Sequence, residues 1–226
     1  MRTKFKKVIF SSLIFCIAVL AVNSSAAIIT IGIEAVVTGV TDNDNLLEGK
    51  VAIDSIITGT YTYDTSTLDT NPASDVGNYY HYTFPCGINW TVGGFVFKTD
   101  PDNTEFLVHI TDNYQEYVPD YYGINSFNNV PLSNGVKVES IYWELGDFNG
   151  TALSSTVLPI TAPVLTDWTS NWNNLSITGG IGGTPPCYEK TFGVTAEVIS
   201  AVLVPEPMSL LLFGFGLLAV RLRRIN

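Results

Sequence analysis

The sequence predicts an all-β chain folded as an antiparallel β-sandwich, jelly-roll-like or Ig-like. Three observations carry that expectation. The central region is rich in Thr, Tyr, Val, Ile, Gly and Asn, the composition of strands and tight turns. Apolar residues recur at every second position, as at Ile57, Tyr61 and Tyr63 between Thr58, Thr60 and Thr62. Turn clusters punctuate the chain at regular intervals, and no long segment repeats with the period of an amphipathic helix.

The elements follow in order. Residues 28–40 read as a first strand interrupted by Gly32, and 41–45 as a turn cluster containing Asp42 and Asp44. Residues 48–64 are strand material, and 65–77 a polar loop with Asn71 and Pro72. Strands at 78–84 and 88–98 flank a turn at Pro85, Cys86 and Gly87. Asp100 to Asn103 turn the chain before a strand at 105–111. A loop over 112–120 leads to a strand at 121–127. Residues 136–146 alternate around Val138, Ile141, Trp143 and Leu145. Residues 147–172 are loop-rich, 175–178 form a short strand, and 179–186 a glycine and proline loop. A last strand covers 192–204, so about nine strands are expected in one domain without an internal repeat.

Both ends read as addresses. Arg2, Lys4, Lys6 and Lys7 precede an apolar run over 8–22, and Ser24 to Ala27 supply small residues for cleavage. This is the pattern of a secretory signal peptide over 1–27, cut after Ala27 within a residue or two by signal peptidase after passage through the Sec machinery. At the other end, Pro205 and Pro207 exclude a regular helix or central strand around Glu206. Residues 208–220 carry no charge and would span about 20 Å as a helix, short of the roughly 30 Å hydrocarbon core. Arg221, Arg223 and Arg224 then favour a cytoplasmic C-terminus. The expected division is 1–27, a secreted β-sandwich domain over 28–203, and a C-terminal signal with a short hydrophobic helix over 204–226.

The charges divide with the segments. All seven Lys and Arg residues outside 28–203 lie in the two ends. The central domain holds Lys50, Lys98, Lys137 and Lys190 against 20 of the 21 acidic residues, so its formal charge is 4 − 20 = −16. Such a surface repels nucleic acid and anionic membrane, which both need basic contacts. It is compatible with divalent cations, neutral glycans or simple solubility. With Cys16 in the signal peptide, Cys86 and Cys187 are left in an oxidising compartment and are expected to pair as a disulfide.

The tail, with Pro205, Glu206 and Pro207 ahead of a short apolar run and an Arg cluster, closely resembles the PEP-CTERM sorting signal of exported bacterial proteins. The resemblance implies recognition by an exosortase, a multi-pass membrane protease or transpeptidase of Gram-negative bacteria that often make exopolysaccharide. Cleavage near Pro205–Pro207 would release the domain or transfer it to a carrier, leaving only transient membrane association. The region 58–64, the loop with Asp69, Asn71 and Pro72, and the stretch 147–153 with Leu158 and Pro159 are also similar to a recurring group of PEP-CTERM passenger domains. That second likeness implies the sandwich and no chemistry.

Three kinds of site are candidates within the domain. Asp42, Asp44 and Glu48, or Asp100, Asp102 and Glu105, could offer oxygens to calcium; both clusters equally fit plain turn chemistry. Tyr114, Tyr117, Tyr121 and Tyr122 could stack on sugar rings beside Asp112 and Asp120, or pack as ordinary strand aromatics. Catalysis has little support. His81 and His109 are the only histidines, His81 reads as a surface residue, and neither a nucleophile elbow nor a zinc-protease motif occurs. The expectation is an exported, non-enzymatic protein of the cell envelope, cell surface or extracellular matrix. It would be structural or adhesive, associated with exopolysaccharide or biofilm, and without an obligatory cofactor. A carbohydrate-binding module and a glycan-processing enzyme are the alternatives.

Overall fold

The structure, a computed structural model, describes residues 27–114, 120–169, 171–184 and 187–205. Ten antiparallel strands account for most of the described chain: β1 (Ile28–Thr41), β2 (Ile56–Asp64), β3 (Val76–His81), β4 (Gly87–Val92), β5 (Phe95–Lys98), β6 (Phe106–Thr111), β7 (Asp120–Ser126), β8 (Lys137–Asp147), β9 (Asn173–Thr184) and β10 (Cys187–Leu203). One short 3₁₀ turn covers Leu165–Asp167.

The all-antiparallel expectation holds, but the two separate sheets of a sandwich are not seen. The strands form one continuous sheet in the order β3-β6-β7-β8-β9-β10-β1-β2-β4-β5. Side-chain alternation gives that sheet one apolar face. Ile31, Ile33, Ala35 and Val37 in β1 are buried, as are Trp90 in β4, Phe97 in β5, Val108 in β6 and Trp143 in β8. A single apolar face is stable only if it folds against itself, so the sheet curls. Register shifts at Glu34/Ala35 and Val37/Gly39 in β1, and at Val138/Ser140 in β8, supply the bulges that bend it. Across the interior the Tyr61 and Tyr122 hydroxyls meet at 3.0 Å, and Phe97 packs on Phe192 at 6.2 Å between ring centroids. The end of β5 also meets the connection after β7, where the Val130 N–H donates to Lys98 O at 3.0 Å.

Several boundaries differ from the sequence reading. Residues 88–98 form a hairpin instead of one strand. Gly93 (φ 58°) and Gly94 (φ 81°) supply the two left-handed residues of a tight turn, and Val92 pairs with Phe95. Residues 48–55 are turns, with Glu48 and Asp54 at positive φ, so β2 begins only at Ile56. The supposed glycine loop is the second half of β9. A Cβ at Gly179 would lie 2.1 Å from Lys137 O and 2.6 Å from Cε1 of Phe192, so close packing against neighbouring strands requires glycine there.

The expected disulfide is absent: Cys86 is a buried free thiol and Cys187 an exposed one. Register explains this. Gly87 pairs with Thr62, which pairs with Thr30, near the start of β1. Gly193 pairs with Thr41 at the other end of β1, and Cys187 lies further along β10. Thr30 and Thr41 are eleven positions apart, about 35 Å of strand, far beyond disulfide reach. His81 is also not a surface residue. It is 4% exposed, its Nδ1 bonded to Tyr79 O at 3.0 Å, and burial lowers its pKa below the ordinary imidazole value.

Candidate functional site

The outer face of β3, β6, β7, β8 and β9 carries a groove. Strand register lines up Asn78, His109, Gly123, Glu144 and Asn174 directly across these five strands. The adjoining row is Val76, Thr111, Tyr121 and Gly146, with Trp172 beyond it just before β9. Each residue faces outward because its neighbours in the strand, such as Val108, Ile110, Tyr122 and Leu145, fill the core.

Two glycines make room for two rings. A Cβ at Gly123 would come within 2.6 Å of Cε1 of Tyr121, and one at Gly146 within 2.8 Å of Cγ of Trp172. Tyr121 therefore lies across β7, and its hydroxyl donates to Glu144 Oε2 at 3.0 Å. The Asn174 side-chain amide donates to Glu144 Oε1 at 3.3 Å. His109 stands edge-on to Tyr121, with centroids 5.3 Å apart, and its Nδ1–H donates to Asn78 Oδ1. The Trp172 ring packs edge-on to Phe148 at 5.4 Å, and its buried Nε1–H has no partner among the described residues.

Two neighbouring hollows share His109 and Tyr121 as walls. One, of about 440 Å³, is bounded by Asn71, His109, Tyr114, Tyr121 and Trp172. The other, of about 350 Å³, is bounded by His109, Tyr121, Asn125, Tyr142 and Glu144. Burial lowers the His109 pKa, so the ring is neutral at neutral pH. Burial and the neighbouring Glu144 carboxylate raise the Tyr121 pKa well above the phenol value, which keeps its hydroxyl a donor. Next to this surface, Tyr80 of edge strand β3 and Tyr82 just after it stack with ring planes 6° apart and centroids separated by 6.1 Å. A separate hollow of about 320 Å³ adjoins Cys86, with Thr60, Thr62, Asn89 and Lys98 on its walls, at the far end of the sheet order.

The sequence-expected residues distribute unevenly. Tyr114 and Tyr121 border the groove, with Tyr114 45% exposed. Tyr122 has the opposite parity and is buried against Trp143 and Trp168. Tyr117 lies outside the described residues. The acidic clusters are engaged locally. Asp42 accepts from the Leu46 and Leu47 N–H groups at 2.7 and 2.8 Å, Asp44 faces Lys190 at 3.6 Å, and Glu48 meets Lys50 at 2.5 Å. Asp100 accepts from the Asp102 N–H, and Glu105 from Asn128. Among the described residues no three His, Cys, Asp or Glu side chains are grouped to hold a metal ion.

At the ends, the Thr65 N–H donates to Ala27 O at 3.1 Å, and the Val204 N–H donates to Thr30 O at 2.8 Å. Pro205 follows as the last described residue; Glu206, Pro207, Arg221, Arg223, Arg224 and the expected hydrophobic helix lie outside the described residues. Sequence reading alone missed His109, Glu144, Asn78 and Asn174 as one constellation. Their outward parity was readable strand by strand, but the alignment of five strands depends on register. No protein-family model, no curated protein and no solved structure gives a significant match to the chain.

Proposed function

We propose that this is an exported, exosortase-sorted protein of the cell envelope or extracellular matrix whose domain adheres to exopolysaccharide through the outer-face groove. The observation that carries the adhesive reading is the placement of Tyr121 and Trp172 over glycines, beside in-register polar groups from four strands, β3, β6, β8 and β9. Flat rings suit the apolar faces of sugars, and the side-chain amides of Asn78, Asn125 and Asn174 offer hydrogen bonds to hydroxyls. The curled sheet, with opposed halves meeting over one core, is read as a distorted sandwich. A non-enzymatic role fits best, because Glu144 is the one carboxylate among the described residues bordering the groove, whereas glycoside hydrolysis ordinarily uses two.

Two experiments test this reading. The mature domain should be retained on insoluble polysaccharide, and Tyr121→Ala with Trp172→Ala should lose that retention while keeping the wild-type circular dichroism spectrum. Failure of the wild-type domain to bind any glycan matrix would remove the adhesive role. An intact mass from a host with exosortase should start at Ala27 or Ile28 and end near Pro205–Pro207. A product that still carries Arg221–Arg224 would make the tail a retained anchor.

A further inference from the structure

We propose that the groove selects glycans bearing free amino groups, with a protonated sugar amine paired to Glu144 while its ring packs against Tyr121. This inference rests on the glycan-binding reading and adds a ligand class to it. The Glu144 carboxylate receives one hydrogen bond on each oxygen, from Tyr121 and from Asn174. A carboxylate accommodates about four, so it keeps acceptor capacity on both oxygens. Neither donor carries a positive charge, and among the described residues no Lys or Arg borders either hollow. Lys137, in the same strand, is seven residues from Glu144, about 23 Å along the strand. Lys190 is paired with Asp44, and Lys50 with Glu48 and the Phe95 ring, all away from this face. A cationic group on a ligand would therefore meet this carboxylate without a competing protein cation.

A sugar ammonium is such a group. It donates charge-assisted hydrogen bonds to the carboxylate while the rest of the ring meets an aromatic wall. The field of the whole domain acts in the same direction, since 20 acidic residues against four lysines attract a polycationic chain and repel a uronate or sulfated one. Acetylating the amine removes its charge while leaving the sugar shape largely intact.

Calorimetric titration of the mature domain with matched oligosaccharides tests the proposal, using a free-amine, an N-acetylated and a uronate series. The free-amine oligomer should bind about tenfold more tightly than its N-acetylated counterpart, and the advantage should shrink at high salt. The uronate series should not bind. Glu144→Gln should abolish the tenfold difference between the two series, with circular dichroism and thermal unfolding checking that the domain still folds. Equal affinity for the amine and N-acetyl series would overturn the amine selectivity and leave the glycan reading standing. A difference that persists in Glu144→Gln would overturn the role of Glu144. If no series binds, both this inference and the glycan reading fail.

Discussion

Gly123→Ala separates the groove from the stability of the fold. The added methyl would sit 2.6 Å from Cε1 of Tyr121, 2.7 Å from its hydroxyl oxygen and 2.9 Å from Cζ. Carbon atoms pack at about 3.5 Å, so the ring must retreat by about 1 Å. Its hydroxyl is 3.0 Å from Glu144 Oε2. A retreat of that size takes the pair out of hydrogen-bonding range. Losing this partly buried, charge-assisted bond costs about 1.5 kcal/mol. Replacing a strand glycine by alanine returns about 0.5–1 kcal/mol of backbone entropy. The net destabilisation is then about 1 kcal/mol or less, a fall of about 2–4 °C in Tm. Glycan affinity should fall by about tenfold, because the displaced ring no longer walls the site or positions the carboxylate. Thermal unfolding and titration calorimetry on the same preparation measure both. Wild-type affinity in Gly123→Ala would refute the reasoning, as would a melting temperature too low for the domain to be folded in the binding assay.

Other perturbations address the core, the loops and the thiols. Trp143 is fully buried against Tyr61 and Tyr122 and donates its indole N–H to Asn173 at 2.9 Å, so Trp143→Ala should cost about 3–5 kcal/mol in denaturant unfolding. Asp147 is 1% exposed and accepts bonds from the Thr151 and Asn149 N–H groups and from the Thr151 and Thr169 hydroxyls. Burial pushes its pKa up, but those donors outweigh it and leave the carboxyl below the ordinary range. Its stabilising contribution is therefore complete above about pH 4–5 and lost as pH falls through the lower folded value, and Asp147→Ala should flatten that part of the stability–pH curve. Thiol titration of the unfolded mature domain should find Cys86 and Cys187 both reduced. In the native domain Cys187 should react first, because Cys86 is buried and desolvation raises its pKa to about 11.

The legible part of the fold was local. Alternation at Val138, Ile141, Trp143 and Leu145 identifies a strand and its buried face without knowledge of its partners. The β4–β5 turn was less visible because Thr91 to Phe97 reads as one β-rich run, although Gly93 and Gly94 provide the signal for a two-residue hairpin. The second half of β9 was hidden for a different reason. Gly179 and Gly180 suggest a loop by composition, yet glycine there lets Phe192 and Tyr188 cover the strand. The disulfide inference failed because an even cysteine count carries no information on which end of a strand each cysteine occupies. The groove depends on the same missing quantity. Tyr114 and Tyr121 drew notice as a cluster, but neighbouring Tyr122 points into the core, and His109 and Glu144 reach Tyr121 only through the β6-β7-β8 register.

The pairing of Val204 with Thr30 has a mechanical consequence. The chain leaves the domain at the end of β10, beside the start of β1, and β10 is laddered along most of its length to β1 and β9. Tension on the tail directed along β10 loads these ladders in shear, so many hydrogen bonds must yield together. Tension across the strand would open them one after another. A domain tethered through Pro205 and gripped on the β6–β9 face can therefore resist pull parallel to its strands far better than peeling from its β3 or β5 edge.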